Sequence, residues 1–198
     1  MSINVGVLAL QGDFSEHIAK IKECGANAIE IRFPEQLRSI DGLIIPGGES
    51  TAIKKLLVKY KFKEALDKFY GEGKPVFGTC AGLVLMSDNI EGEGKGMGYI
   101  DIDVRRNAYG RQADSFEEMV SLNFGGTGSD KKFRAVFIRA PKIIRMGSDV
   151  MIIASLNGEP VLVKYGNVMA GAFHPELTDD SRVHEFFLNM IKSFKGVD

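Results

Sequence analysis

Apolar residues in the first half of the chain fall in short runs, and the stretches between them repeat at helical spacing. The runs 3–10, 27–32, 42–45 and 75–77 read as buried strands. Asp13-Phe14-Ser15-Glu16 opens a helix with Phe14, Ile18 and Ile21 on one face, and Gly25 stops it. Phe33-Pro34-Glu35-Gln36 turns the chain, and Pro46-Gly47-Gly48 breaks the third strand. Ser50 or Thr51 then caps a helix that carries Ile53, Leu56 and Leu57, and a third helix runs over about 63–70. Alternation of this kind predicts a parallel sheet with helices on both faces. Ligands of such sheets sit beyond the carboxyl ends of the strands, where Gln11, Gly47-Gly48 and Cys80 all fall.

The second half reads differently. The segments 99–104, 119–123, 135–138, 151–155, 161–165 and 168–173 look like strands with little helix between them, so a mixed or antiparallel extension of the sheet is expected. An amphipathic helix over about 179–194 closes the chain, with Val183, Phe186, Phe187, Met190 and Ile191 inward. The Gly-rich stretches 92–96 and 125–128 read as mobile loops, without the Lys-Ser/Thr and helix of a phosphate-binding loop. The expected fold is α/β: a three-layer sandwich around a mostly parallel central sheet with a mixed or antiparallel extension. Residues 1–198 are expected to form one domain, a length that suits one sizeable core.

Composition narrows the partners. A net charge of −1 gives no reason to expect a nucleic acid or an anionic membrane. No apolar run approaches a membrane span, and the first residues lack the basic region of a signal peptide. Cys24 and Cys80 form no C-x-x-C pair, so neither a disulfide framework nor a metal site is expected. A reactive thiol needs a reducing compartment, which points to the cytoplasm.

The candidate chemistry centres on Gly78-Thr79-Cys80-Ala81-Gly82, between an apolar strand and the helical run Leu83-Val84-Leu85-Met86. A sharp strand–helix turn of this kind holds a nucleophile at the top of a parallel sheet, and glycine on both sides removes Cβ atoms that would clash. The helix N-terminus beside Cys80 favours a thiolate. His174-Pro175-Glu176 follows the apolar run 168–173 and supplies a base with a carboxylate to orient it. His17 and His184 have no such context and are expected on the surface or partly packed; Cys24 is expected in the core. Pro46-Gly47-Gly48-Glu49-Ser50 is either a turn with a helix cap or an oxyanion hole, with the Gly48 and Ala81 N–H groups as donors. Arg106, Arg111 and Arg139 are either surface charges or cations for the α-carboxylate of an amino-acid substrate.

These residues resemble the triad-type glutamine amidotransferases, first through Phe77-Gly78-Thr79-Cys80-Ala81-Gly82 and Phe173-His174-Pro175-Glu176. Leu10-Gln11-Gly12, Pro46-Gly47-Gly48-Glu49-Ser50-Thr51, Arg106-Asn107-Ala108-Tyr109-Gly110-Arg111-Gln112, Phe137-Ile138-Arg139-Ala140-Pro141 and His174-Pro175-Glu176-Leu177-Thr178 narrow the likeness to the glutaminase subunits of pyridoxal 5′-phosphate synthase. The resemblance implies a flavodoxin-like class I amidotransferase fold. It implies hydrolysis of glutamine to glutamate and ammonia, with Cys80 attacking, His174 moving the proton and Glu176 orienting His174. It places glutamine near Gly48, Glu49, Ser50, Arg106, Ile138 and Arg139. It also implies delivery of ammonia to a synthase partner in a large ring complex, with no cofactor on this subunit. The competing readings are a glutaminase subunit of another biosynthetic pathway, a non-catalytic regulatory module on the same fold, and a cysteine hydrolase acting on peptides or esters.

Overall fold

The computed structural model describes residues 2–108, 115–124 and 132–197. In chain order the first half holds β1 (Asn4–Leu8), α1 (Phe14–Glu23), β2 (Asn27–Ile31), a 3-10 helix (Pro34–Ser39), β3 (Gly42–Ile45), α2 (Ser50–Lys59), α3 (Lys63–Gly71), β4 (Val76–Thr79) and α4 (Ala81–Met86). Then come β5 (Ser87–Ile90), β6 (Gly94–Lys95), β7 (Ile100–Arg105), β8 (Ser115–Leu122), β9 (Phe133–Ile138), β10 (Lys142–Met146), β11 (Met151–Leu156), β12 (Glu159–Tyr165) and β13 (Val168–Gly171). A 3-10 turn (Pro175–Leu177) leads into α5 (Arg182–Lys195).

The central sheet runs β2-β1-β3-β4-β13-β12-β11-β8-β9. Its first five strands are parallel to their neighbours, and the remaining pairings are antiparallel. The parallel core with an antiparallel extension therefore matches the sequence reading. Strand order reverses between β1 and β3, which opens a crevice at the carboxyl ends of the strands.

Alternate residues of β4 show why the sheet carries helices on both faces. Phe77 and Thr79 face one side, where Phe77 packs on Phe187 with ring centroids 5.6 Å apart and Thr79 reaches His17 of α1. Gly78 faces the other side, against Gly82 and Met86 of α4. The period of two along a strand thus sends α1 and α5 to one face and α4 to the other. β3, with Leu43, Ile44 and Ile45 fully buried, lies in the middle of this core. α5 approaches β3 closely because Gly42 has no side chain; a Cβ there would stand 2.4 Å from Ile191 Cδ1.

Three features differ from the expectation. A separate four-stranded sheet, β10-β7-β5-β6, stands beside the main one, and only β7 of its strands is foreseen. β5, β6 and β10 bury few residues each, so their sequences carry no clear period. The cap of α2 is Glu49, whose carboxylate accepts the Thr51 and Ala52 N–H groups at 3.0 and 2.7 Å, while Ser50 is already helical. The inward face of α1 is His17, Lys20 and Ile21, with Phe14 and Ile18 only partly buried. No helix among the described residues is long and apolar enough to cross a membrane.

Candidate active site

Four neighbouring parallel strands deliver the site. Gln11 and Asp13 follow β1, Gly47 and Gly48 follow β3, Cys80 follows β4, and His174 follows β13. The outermost strand β9 also returns to this rim, where the His174 N–H donates to the Val136 carbonyl at 2.8 Å. A cavity of about 520 Å³ opens there, lined among others by Gly48, Glu49, Cys80, Ala81, Arg139 and His174.

Cys80 has φ 47° and ψ −99°, a left-handed conformation that a residue with a side chain rarely adopts. The turn around it is closed by neighbours that tolerate no Cβ. At Gly82 a Cβ would lie 2.0 Å from the Ile45 carbonyl oxygen, and at Gly78 it would lie 2.7 Å from both Gly82 and the Met86 sulfur. The Cys80 N–H donates to the Gly171 carbonyl at 2.8 Å, and its Sγ lies 3.7 Å from the Ile138 carbonyl. These contacts project the sulfur at the elbow. Cys24, by contrast, is half-buried against the core, and burial pushes its thiol pKa up.

His174 Nδ1 donates to Glu176 Oε1 at 2.8 Å and lies 3.3 Å from Asp13 Oδ2. The short 3-10 turn after His174 brings Glu176 back beneath the ring, and both residues are buried. Burial alone would lower the His174 pKa. Its hydrogen-bonding neighbours Asp13, Cys80 and Glu176 outweigh that and push it up to about 12. Burial likewise raises Glu176, against the pull of His174. The imidazole packs close against Gly47, where a Cβ would stand 2.3 Å from His174 Cε1.

The Pro46-Gly47-Gly48 loop is fixed from several directions. The Gly47 N–H donates to Thr79 Oγ1 at 3.0 Å, and the Gly47 carbonyl accepts the Asp13 N–H at 3.2 Å. Gly48 has φ 150°, and the Glu49 N–H donates to Gln11 Oε1 at 2.7 Å. Ser50, the first residue of α2, is buried and lines the cavity. Arg106 also lines it, and its guanidinium pairs with Glu93 at 2.7 Å and Glu49 at 3.3 Å. Burial would raise the Glu49 pKa, but the Thr51 and Ala52 N–H groups and Arg106 hold it below the usual carboxylate range. Ile138 and Arg139 complete the wall, and Arg139 has φ 44°. Tyr109, Gly110, Arg111 and Gln112 of the arginine-rich block lie outside the described residues, as does the second Gly-rich stretch, 125–128.

The structure therefore gathers Cys80, His174, Glu176, Gly48, Ala81, Glu49, Ser50, Arg106, Ile138 and Arg139 at one rim. It also adds residues that sequence reasoning missed. Asp13 was read only as a helix start, yet its carboxylate reaches His174. His17 and His184, expected on the surface or partly packed, are fully buried. His17 lies one helical turn after Asp13, and that spacing was the signal that places both beneath the strand ends.

A sheet of this order, with a thiol at a strained elbow and a histidine–carboxylate pair on the adjacent parallel strand, defines the class I glutamine amidotransferase arrangement. A crystal structure of a glutamine amidotransferase has 46% identity and a TM-score of 0.88 to this chain, covering 94% of it and 98% of that chain. A putative GMP synthase subunit from Thermoplasma acidophilum, 17% identical with a TM-score of 0.71, shares the fold. Residues 7–193 match the SNO glutamine amidotransferase family, and the chain belongs to that family. Among curated relatives, pyridoxal 5′-phosphate synthase subunit PdxT of Shouchella clausii is 50% identical over 96% of this chain and 95% of its own length. The protein of that name from Mycobacteroides abscessus is 48% identical over 98% of this chain and 100% of its own.

Proposed function

We propose that residues 1–198 act as one glutaminase domain that releases ammonia from glutamine for a pyridoxal 5′-phosphate synthase. The observation that carries this reading is the strained Cys80 elbow beside the 2.8 Å His174–Glu176 pair, in a cavity of amino-acid size. His174, raised far enough to be cationic at neutral pH, already holds the proton given up by Cys80, and the sulfur attacks the side-chain amide carbon of glutamine. The carbonyl oxygen becomes an oxyanion held by the Gly48 and Ala81 N–H groups. Collapse breaks the carbon–nitrogen bond, and the proton on His174 leaves with the nitrogen as ammonia. A water, deprotonated by His174, then cleaves the glutamyl thioester; glutamate departs and the thiol is restored. Glu176 keeps the far nitrogen of His174 protonated and the ring oriented throughout.

Gly48, Glu49, Ser50, Arg106, Ile138 and Arg139 hold the substrate in this reading. Arg139 is the better placed cation for the α-carboxylate, since Arg106 already pairs with Glu49 and Glu93. Ammonia is protonated in neutral water and then ceases to be a nucleophile. Transfer into a docked synthase, in a ring assembly decorated by glutaminase subunits, preserves it. The Gly47–Gly48 peptide is the natural switch for such coupling, because a missing oxyanion donor costs about 10²–10³ in rate. A reactive thiol at Cys80 fits a reducing compartment such as the cytoplasm.

The test is glutamate release from glutamine by the purified chain, alone and with the synthase subunit of pyridoxal 5′-phosphate synthase, with Cys80→Ala as the control. The reading expects activity that rises sharply with the synthase and vanishes in Cys80→Ala. Unstimulated activity would remove the partner assignment, and release that survives in Cys80→Ala would remove the nucleophile.

A further inference from the structure

Beneath the site lies a buried polar chain that the mechanism above does not use. His17 of α1 and His184 of α5 are both fully buried, with His17 Nδ1 3.0 Å from His184 Nε2. On its other side His17 Nε2 lies 3.1 Å from Thr79 Oγ1 and 3.3 Å from Glu176 Oε2. Thr79 Oγ1 also accepts the Gly47 N–H at 3.0 Å. Both imidazoles stand T-shaped to the Phe77 ring with centroids 6.3 Å away, so the chain is embedded in apolar packing. One ring thus touches the carboxylate that orients His174 and the hydroxyl that holds the glycine loop.

The partners fix the tautomers. If His17 carried its proton on Nδ1, its bare Nε2 would face a carboxylate oxygen, and His184 would bury an N–H at Nδ1, which has no partner among the described residues. With the protons on the Nε2 atoms, His184 donates to His17 Nδ1 and His17 donates to Thr79 Oγ1, with Glu176 Oε2 3.3 Å from the same nitrogen. Within the histidine pair itself, only an acceptor at His184 Nδ1 then goes unpaired, the less costly defect.

We propose that His17 is a positioning residue for this site: its hydrogen bond to Thr79 holds the Gly47 peptide, and the dipole of its Nε2–H, 3.3 Å from Glu176 Oε2, steadies that carboxylate, with His184 fixing the tautomer. The proposal rests on the triad reading given above. His17 touches neither substrate nor sulfur in this scheme. It couples the arm that carries the base to the loop that carries an oxyanion donor, so that the two keep a common register. The ionisable groups around it are Glu176 and His174 above, His184 from α5, and Asp13 and Lys20 on its own helix. Burial, with the fields of His184 and His174, holds the His17 pKa well below the ordinary histidine value, which keeps the ring neutral and the donor in place.

The experiment measures glutamine hydrolysis by the full chain with its synthase subunit across pH 5.5–9.5, for wild type, Cys80→Ala, His17→Leu, His17→Gln and Thr79→Val. His17→Leu is expected to lower kcat about 10–100-fold with KM within about twofold, and to move the low-pH limb of kcat/KM. His17→Gln, which keeps an N–H donor near the Nε2 position, is expected to recover most of kcat. Thr79→Val is expected to lower kcat without moving the limb, because it releases the glycine loop and one contact of His17 but leaves His17 against Glu176. If His17→Leu fails to fold, His184→Leu takes its place, with a smaller fall in kcat and the same movement of the limb. Wild-type kcat and pH profile in the folded Leu variant would overturn the proposal, as would equal losses in the Leu and Gln variants with an unmoved limb. Release that persists in Cys80→Ala would instead overturn the triad reading, so the two failures are distinguishable.

Discussion

Gly47→Ala is the substitution whose effect follows most directly from the geometry. A Cβ at Gly47 would stand 2.3 Å from His174 Cε1, 2.9 Å from Nδ1 and 3.1 Å from Asp13 Oδ2, whereas ordinary contact begins near 3.4 Å. Either the imidazole or the loop must move by at least about 1 Å. A misplacement of that size at a reacting group costs on the order of 10² in rate. The stability cost is smaller, about 1–3 kcal/mol for local overpacking, because the loop lies at the rim of the sheet. The assay is glutamate release with and without the synthase subunit, read beside a thermal melt. Gly25→Ala is the control. It also sits at positive φ, but its Cβ would meet nothing within 4 Å, so it loses a little stability and no activity. A Gly47→Ala protein with kcat/KM within about threefold of wild type would refute the reasoning, because the base would then not need its contact with Gly47.

Other outcomes follow from the same structure. Gly82→Ala places a Cβ 2.0 Å from the Ile45 carbonyl oxygen, a backbone atom that cannot swing away, so urea unfolding is expected to show a loss above about 3 kcal/mol or no folded protein. Glu176→Gln keeps the shape of the side chain but not the charge that holds the His174 tautomer; glutamate release is expected to fall about 10³–10⁴-fold with little change in melting temperature. Stability should also fall in acid. Burial holds His17 well below its ordinary value and pushes His184 down to about 3, while the unfolded chain takes up both protons near 6.5. The unfolded state binds more protons below that pH, so stability drops by up to about 1.4 kcal/mol per pH unit for each histidine. The urea midpoint followed from pH 7 to 4 should be steeper in wild type than in the His17→Gln, His184→Gln double variant. His174 acts in the opposite sense: its raised pKa gives stability that is complete below about 6.5 and declines as the pH rises toward the folded value.

The parts of the fold legible in the sequence are those where burial leaves a period. β1, β3, β4 and β13 lie inside the sheet, so nearly every residue of each is buried and the apolar runs mark them. The elbow announced itself because Gly78 and Gly82 sit where neighbours exclude any side chain. β5 and β10 escaped notice because each buries at most two residues, and β6 buries none. Glu49 was missed as a cap because Ser50 and Thr51, the commoner capping residues, stand directly after it. The misreading of α1 has the most consequence. Taking Phe14, Ile18 and Ile21 as its inner face left His17 outside, whereas the helix turns His17, Lys20 and Ile21 inward. A histidine on that face has no apolar signature, yet it is the group that joins α1 to Glu176 and α5. The identities of Cys80, His174 and Glu176 were readable from local motif; the polar chain beneath them depends on contacts between residues more than 60 positions apart.

The most direct test of the central claim is to find where glutamine's side-chain carbon becomes attached. The chain, with its synthase subunit present, is treated with 6-diazo-5-oxo-L-norleucine, a diazo ketone analogue of glutamine, then digested and mapped by mass spectrometry. The account predicts a single adduct on the peptide carrying Cys80, suppressed by excess glutamine and lost in Cys80→Ala, with Cys24 unmodified. An adduct on Cys24, or labelling of Cys80 that glutamine does not suppress, would contradict it.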